Sequence, residues 1–146
     1  MHGSVTEIFT ESAIHQKSPQ EITALLYEAC ITNLEDAITD INNKDYVLAN
    51  KKLQNANDIL YRLGAGLNYD AGIIADQLDM LYNYMADKLV EANLKKDVTI
   101  IKEVLHSLEE ITMAWNKAMK NKVPDSAAMV RKKASAYEKS ILTEDR

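Results

Sequence analysis

Two stretches of this chain place apolar residues alternately four and three positions apart, a pattern that permits little except a helix packed against other helices. Ala49, Leu53, Ala56, Leu60, Leu63 and Leu67 advance by 4, 3, 4, 3, 4, and Ile101, Val104, Leu108, Ile111, Trp115 and Ala118 by 3, 4, 3, 4, 3. At about 3.6 residues per turn each set returns to one side of a helix and draws a narrow apolar seam. Ile74, Leu78, Leu81, Met85 and Leu89 form a third stripe between them. Ile22, Leu25, Leu26, Ala29, Leu34, Ile38 and Ile41 form a broader one before them. No segment combines period-two alternation with β-branched enrichment, so no sheet is expected.

Residues between the stripes set the helix ends. Ser18-Pro19-Gln20-Glu21 has the form of a capping box. The Ser18 hydroxyl can accept from a first-turn amide, Glu21 can reach back to the cap, and Pro19 sits where a missing N–H costs nothing. Asn42-Asn43-Lys44 makes a turn, Gly64 and Gly66 loosen the next helix end, and Asp70 is placed to cap the third helix. Lys95-Lys96 suit a helix C-terminus and Asp97 the following N-cap. Pro124 restarts the chain into a shorter basic segment with a weaker stripe, Ala127, Val130, Ala134, Tyr137 and Ile141. The spacing predicts helices over about 19–41, 45–66, 71–94, 98–120 and 125–142. Each of the first four is about 33–38 Å long. Short connections between helices of matched length force antiparallel neighbours. The expected fold is all-α: an antiparallel up-down helical bundle of four long helices with a shorter C-terminal fifth helix, occupying 18–146. Residues 1–17 are expected to form a mobile N-terminal arm, of which Met1-His2-Gly3-Ser4 reads equally as native sequence or as the remnant of an added tag.

Composition narrows the class further. The 146 residues are 47% hydrophobic and 27% charged with 4 Gly and 2 Pro, which excludes collagen-like and mostly disordered readings. The single cysteine, Cys30, cannot make an internal disulfide, and the N-terminus carries Glu7 and Glu11 rather than a long apolar run. Both point to a cytoplasmic protein without a signal peptide, and no stretch is long enough to insert into a membrane. Net charge is −5, which argues against nucleic acid as a partner. That charge is uneven. Residues 1–116 hold 9 basic and 18 acidic side chains, whereas residues 117–139 hold 7 basic against Asp125 and Glu138. A basic terminal helix is expected to complement the acidic body.

Catalytic patterns are sparse. A di-iron bundle would take a Glu-x-x-His from each of two helices, and Glu103-Val104-Leu105-His106 occurs once, off its own apolar seam. A phosphate-accepting histidine at His106 would be followed by Glu109 and Glu110, which repel a phosphoryl group. There is no glycine-rich phosphate loop, nucleophile elbow or Cys/His pair at useful spacing. No enzyme, metal or cofactor is expected. Binding is the better reading.

The residues that inform about binding are apolar ones the seams leave over. Leu48 and Ile59 lie off the second helix's seam, and Ile73, Met80 and Tyr84 run beside the third helix's stripe. Surplus apolar faces on neighbouring helices can line a groove for another helix or an extended segment. Met adapts its shape, and Tyr joins an apolar ring to a wet end. The alternative is that the fifth helix or the arm covers these faces permanently.

Several spaced motifs resemble one family. Ser18-Pro19-Gln20-Glu21-Ile22 with Leu25-Leu26-Tyr27-Glu28, then Ala56-Asn57-Asp58-Ile59-Leu60 with Leu63, resemble the opening and second motifs of flagellin-specific secretion chaperones of the FliS family. Leu81-Tyr82-Asn83-Tyr84-Met85, Leu89-Val90-Glu91-Ala92-Asn93 and a late Trp115 are similar to its later ones, from about Phe9 to Ala118 in all. The resemblance implies a cytoplasmic, non-enzymatic chaperone. Its partner would be the C-terminal segment of flagellin, disordered when free and largely helical when wrapped along hydrophobic grooves of the bundle. Binding would block premature polymerisation and present flagellin to the export apparatus. The groove would involve Leu48, Ile59, Ile73, Met80 and Tyr84, covered in the free protein by arm residues Ile8 and Phe9. The family's two arm tyrosines are Phe9 and Thr6 here, so one anchor lacks its hydroxyl and the other its ring. A generic helical adaptor for another cytoplasmic flagellar or regulatory protein is the second reading. A co-chaperone or flagellar regulator sharing the surface, and a monomer or a weak homodimer, both remain open.

Overall fold

The computed structural model describes residues 17–68 and 72–122. They form four α-helices: α1 Pro19–Asn42, α2 Tyr46–Ala65, α3 Ile73–Lys95 and α4 Val98–Lys122. There is no strand among the described residues. The expected fifth helix over 125–142, and the arm apart from Lys17, lie outside them. The chain divides into two compact units at Thr112/Met113, and the packing that follows is that of the first. In the second, Trp115 and Met119 are half-buried along the last turns of α4, and Ala118 is exposed.

Local chemistry explains the helix ends. Glu21 N–H donates to Ser18 Oγ at 3.1 Å and Ser18 N–H to Glu21 Oε1 at 2.9 Å, a closed capping box with Pro19 at the first helical position. That bond to the Ser18 backbone is the largest cause holding the Glu21 carboxyl below the ordinary range. Asp45 caps α2 by accepting from Leu48 N–H at 3.1 Å, and Asp97 accepts from Thr99 N–H at 2.9 Å where α4 begins. The start of α3 differs from expectation. Its N-cap is Gly72 with φ +74°, and no side chain caps it. A residue at that angle is strained unless it is glycine, so the helix starts at Ile73, two residues after the position expected from Asp70.

Pairing between helices follows one rule of register. Lys52 Nζ reaches Asp36 Oδ2, Asn55 Nδ2 donates to Asn33 Oδ1 and Cys30 Sγ faces the Ala56 carbonyl, so numbers rise on α2 as they fall on α1. Asn93 Nδ2 donates to Asn50 Oδ1 at 2.7 Å, while Asp79 approaches the Gly64 backbone, so α3 runs antiparallel to α2. Side-chain pairs thus set the up-down course that short connections require.

The buried seam of α2 is Ala49, Leu53, Ala56, Leu60 and Leu63 with Ile59, and that of α4 includes Ile101, Val104 and Leu108. The third helix departs from expectation. Its buried residues are Ala75, Tyr82, Met85, Leu89 and Ala92, while Ile74 is exposed and Leu78 and Leu81 are half-buried. The cause is Tyr82, whose hydroxyl lies 2.6 Å from that of Tyr27 on α1, both buried. Seating that phenol inward turns α3 on its axis and carries Ile74 toward water.

Candidate functional site

The sealed side of the bundle holds polar groups in pairs. The Tyr27 and Tyr82 rings are 6.5 Å apart, and desolvation, the main cause in both, raises each phenol above its ordinary pKa. Cys30, three positions after Tyr27, is fully buried, and burial pushes its thiol up to about 12. A thiol so placed is neutral and inert at physiological pH. Glu103 and His106 both face solvent, and His106 Nε2 lies 3.3 Å from Glu110. Among the described residues no three His, Cys, Asp or Glu side chains cluster to hold a metal ion.

The open side lies on α2 and α3. Ile73, Met80 and Tyr84 are 72%, 69% and 59% exposed. They follow one another along the face of α3 opposite Tyr82 and Leu89. At 1.5 Å per residue Met80 lies about 10 Å beyond Ile73, and Tyr84 about 6 Å further. Lys88 Nζ sits 5.9 Å from the Tyr84 ring centre and 3.5 Å from Glu91, so this line ends in a charged cluster. Leu48, 40% exposed, stands in the first turn of α2 and lines a shallow depression of about 610 Å³ with Val47, Asn50 and Gln54. The antiparallel register sets it near the far end of α3 from Ile73, so these two are not brought together. Ile59, at 7% exposed, belongs to the core. It sits one position before Leu60, close enough to the seam to be drawn in. Ile8 and Phe9 lie outside the described residues.

Sequence reasoning missed a second apolar feature. Between α2 and α3 runs a groove of about 410 Å³, with Leu53 and Leu89 in its lining and the exposed side chains Val90 and Leu94 along one wall. The spacing of Val90 and Leu94, four apart and off the expected stripe, was the signal available. Asn50, Gln54, Asn57 and Asn93 interrupt the apolar lining, and Lys96 stands at one end.

The four helices of the described residues leave apolar lines and a groove on two adjacent helices, the kind of surface on which a protein binds another chain. Residues 4–122 match the family described as "Flagellar protein FliS". The flagellar secretion chaperone FliS of Salmonella typhimurium is 33% identical over 111 residues, covering 75% of this chain and 82% of the relative. Those of Bacillus subtilis and Vibrio cholerae are each 28% identical, covering 80% of this chain and 87% and 88% of their own lengths. The chain belongs to the FliS family, whose members are chaperones of flagellar secretion and not enzymes. No helix among the described residues is long and apolar enough to cross a membrane.

Proposed function

We propose that this protein is a cytoplasmic export chaperone for flagellin, binding the disordered C-terminal segment of the unpolymerised subunit and delivering it to the flagellar export apparatus. The observation that carries this reading is the surplus of apolar surface: Ile73, Met80 and Tyr84 on α3 and Leu48 on α2 stay in water while the core is filled without them. Apolar lines on neighbouring helices suit a client that becomes helical as it binds. Each client side chain buried there contributes about 1.5–3 kcal/mol. Ordering the segment costs about 2–5 kcal/mol, and association costs more, so several anchors are needed for a stable complex. A segment wrapped in this way is withheld from polymerisation. Ile8 and Phe9 of the arm are natural competitors for the same surface. Titrating the full chain with a peptide from the end of flagellin, followed by calorimetry and circular dichroism, tests the reading. Saturable binding with a gain of helix supports it, and absence of binding sinks it.

A further inference from the structure

The end of the α2–α3 groove carries an ammonium that has no carboxylate partner among the described residues. Lys96, the C-cap of α3, has φ 49° and ψ 47°, a left-handed conformation in which glycine is the unstrained choice. Its side chain folds back, and Nζ donates to the Asn93 carbonyl and to Asn93 Oδ1, each at 2.7 Å. An ammonium has three protons, so one donor is left. Among the described residues no carboxylate lies within 4.0 Å of this Nζ, whereas Lys52, Lys88 and Lys95 all have acidic partners. Asn50 Oδ1 is taken by Asn93 Nδ2 at 2.7 Å, which leaves the Asn50 amide protons as further donors on the same groove lining. The groove therefore ends in a partly buried cation with a donor to spare and amide donors beside it. Here the chain leaves α3 for α4.

We infer that this groove captures the carboxyl terminus of the client chain, its last apolar side chains lying against Val90 and Leu94 and its terminal carboxylate meeting Lys96 and Asn50. The inference rests on the client reading above and adds to it which part of the client sits where. From Asn57 to Asn50 the α2 wall is about 10 Å long, room for about two helical turns or three extended residues. A terminal carboxylate suits the Lys96 end of the groove, where the apolar wall stops and an ammonium proton and the Asn50 amide stand together. Capture of chain ends by converging donors is an established mode of peptide recognition, and charge-assisted bonds of this kind are the strong ones.

The test uses the full chain and two synthetic peptides of the flagellin C-terminus, one a free acid and one a C-terminal amide. The free acid is expected to bind about 10-fold more tightly or better. In Lys96→Met both peptides should bind alike, at the level of the amide on the unaltered protein, and Lys96→Arg should restore part of the preference. Equal affinity of the two peptides for the unaltered chain overturns the inference while leaving the client reading intact. So does a Lys96→Met variant that weakens both forms by the same factor, which would assign Lys96 to a side-chain carboxylate or to structure. If neither peptide binds, the client reading itself falls and this inference with it. The comparison on the unaltered chain decides the matter even if the variants fold poorly.

Discussion

On one side of α3, Tyr82, Met85 and Leu89 are almost wholly removed from water, whereas on the other Ile73, Met80 and Tyr84 keep more than half their surface in it. Both sides carry a tyrosine, a methionine and an aliphatic residue. Composition therefore does not decide which is buried. The inner side is fixed by partners: Tyr82 by the Tyr27 hydroxyl, and the helix as a whole by the Asn50–Asn93 bond to α2. The buried tyrosine pair is costly to break, and with the part-buried asparagine pair it specifies one rotation of the helix. With that rotation set, the outer residues have nothing of α1 or α2 to pack on. One side of α3 holds the fold together and the other remains available to a client.

Truncating the inner side should have the largest effect on folding. Leu89→Ala removes a side chain with no exposure and leaves a cavity, so it should lower unfolding free energy by about 2–5 kcal/mol in urea denaturation. A loss below about 1 kcal/mol would mean that the inner side of α3 is loosely packed and the contrast overstated. Tyr82→Phe comes next, at about 1–3 kcal/mol, because it strips a buried partner from the Tyr27 hydroxyl. The double variant Tyr27→Phe/Tyr82→Phe should cost less than the sum of the single ones, since no hydroxyl is then stranded.

The sealed side also sets a pH limit. Cys30 has its thiol raised from an ordinary 9.0 to about 12. Its folded-state pKa therefore lies above the unfolded one, and the stability this contributes is complete below pH 9. Between pH 9 and about 12 the unfolded chain loses the proton while the folded chain keeps it. Stability should then fall by about 1.4 kcal/mol per pH unit from this group. Cys30→Ala should flatten that slope, and an unchanged slope would show that Cys30 is not its cause.

Much of this architecture was legible in the sequence, for a physical reason. The α2 seam and the Ser18–Glu21 box are local patterns, and local geometry alone fixes what they do. The rotation of α3 was not legible, because it depends on a hydroxyl contact between residues 55 positions apart, and both tyrosines read as ordinary motif residues. The same gap explains Ile59. Its number places it off the heptad seam, but a close-packed core takes in residues at the seam's edge. The α2–α3 groove was hidden for a related reason: its walls belong to two helices, and a stripe drawn along either one shows only half of it.

Met80→Asp should have the smallest effect on the fold and a large one on the client, and that separation is the sharpest test of the contrast. Met80 is exposed and makes no contact on which the core depends, so unfolding free energy should stay within about 0.5 kcal/mol of the unaltered protein. A charge set in the middle of an apolar line would have to be desolvated by any segment lying across it, which should weaken flagellin-peptide binding at least about 10-fold. Calorimetric titration beside urea denaturation measures both quantities on the same sample. If stability falls with affinity, the outer side of α3 is part of the fold after all. If affinity is untouched, the client lies elsewhere, with the α2–α3 groove as the next surface to alter. Only loss of affinity at constant stability supports a helix that folds with one side and binds with the other.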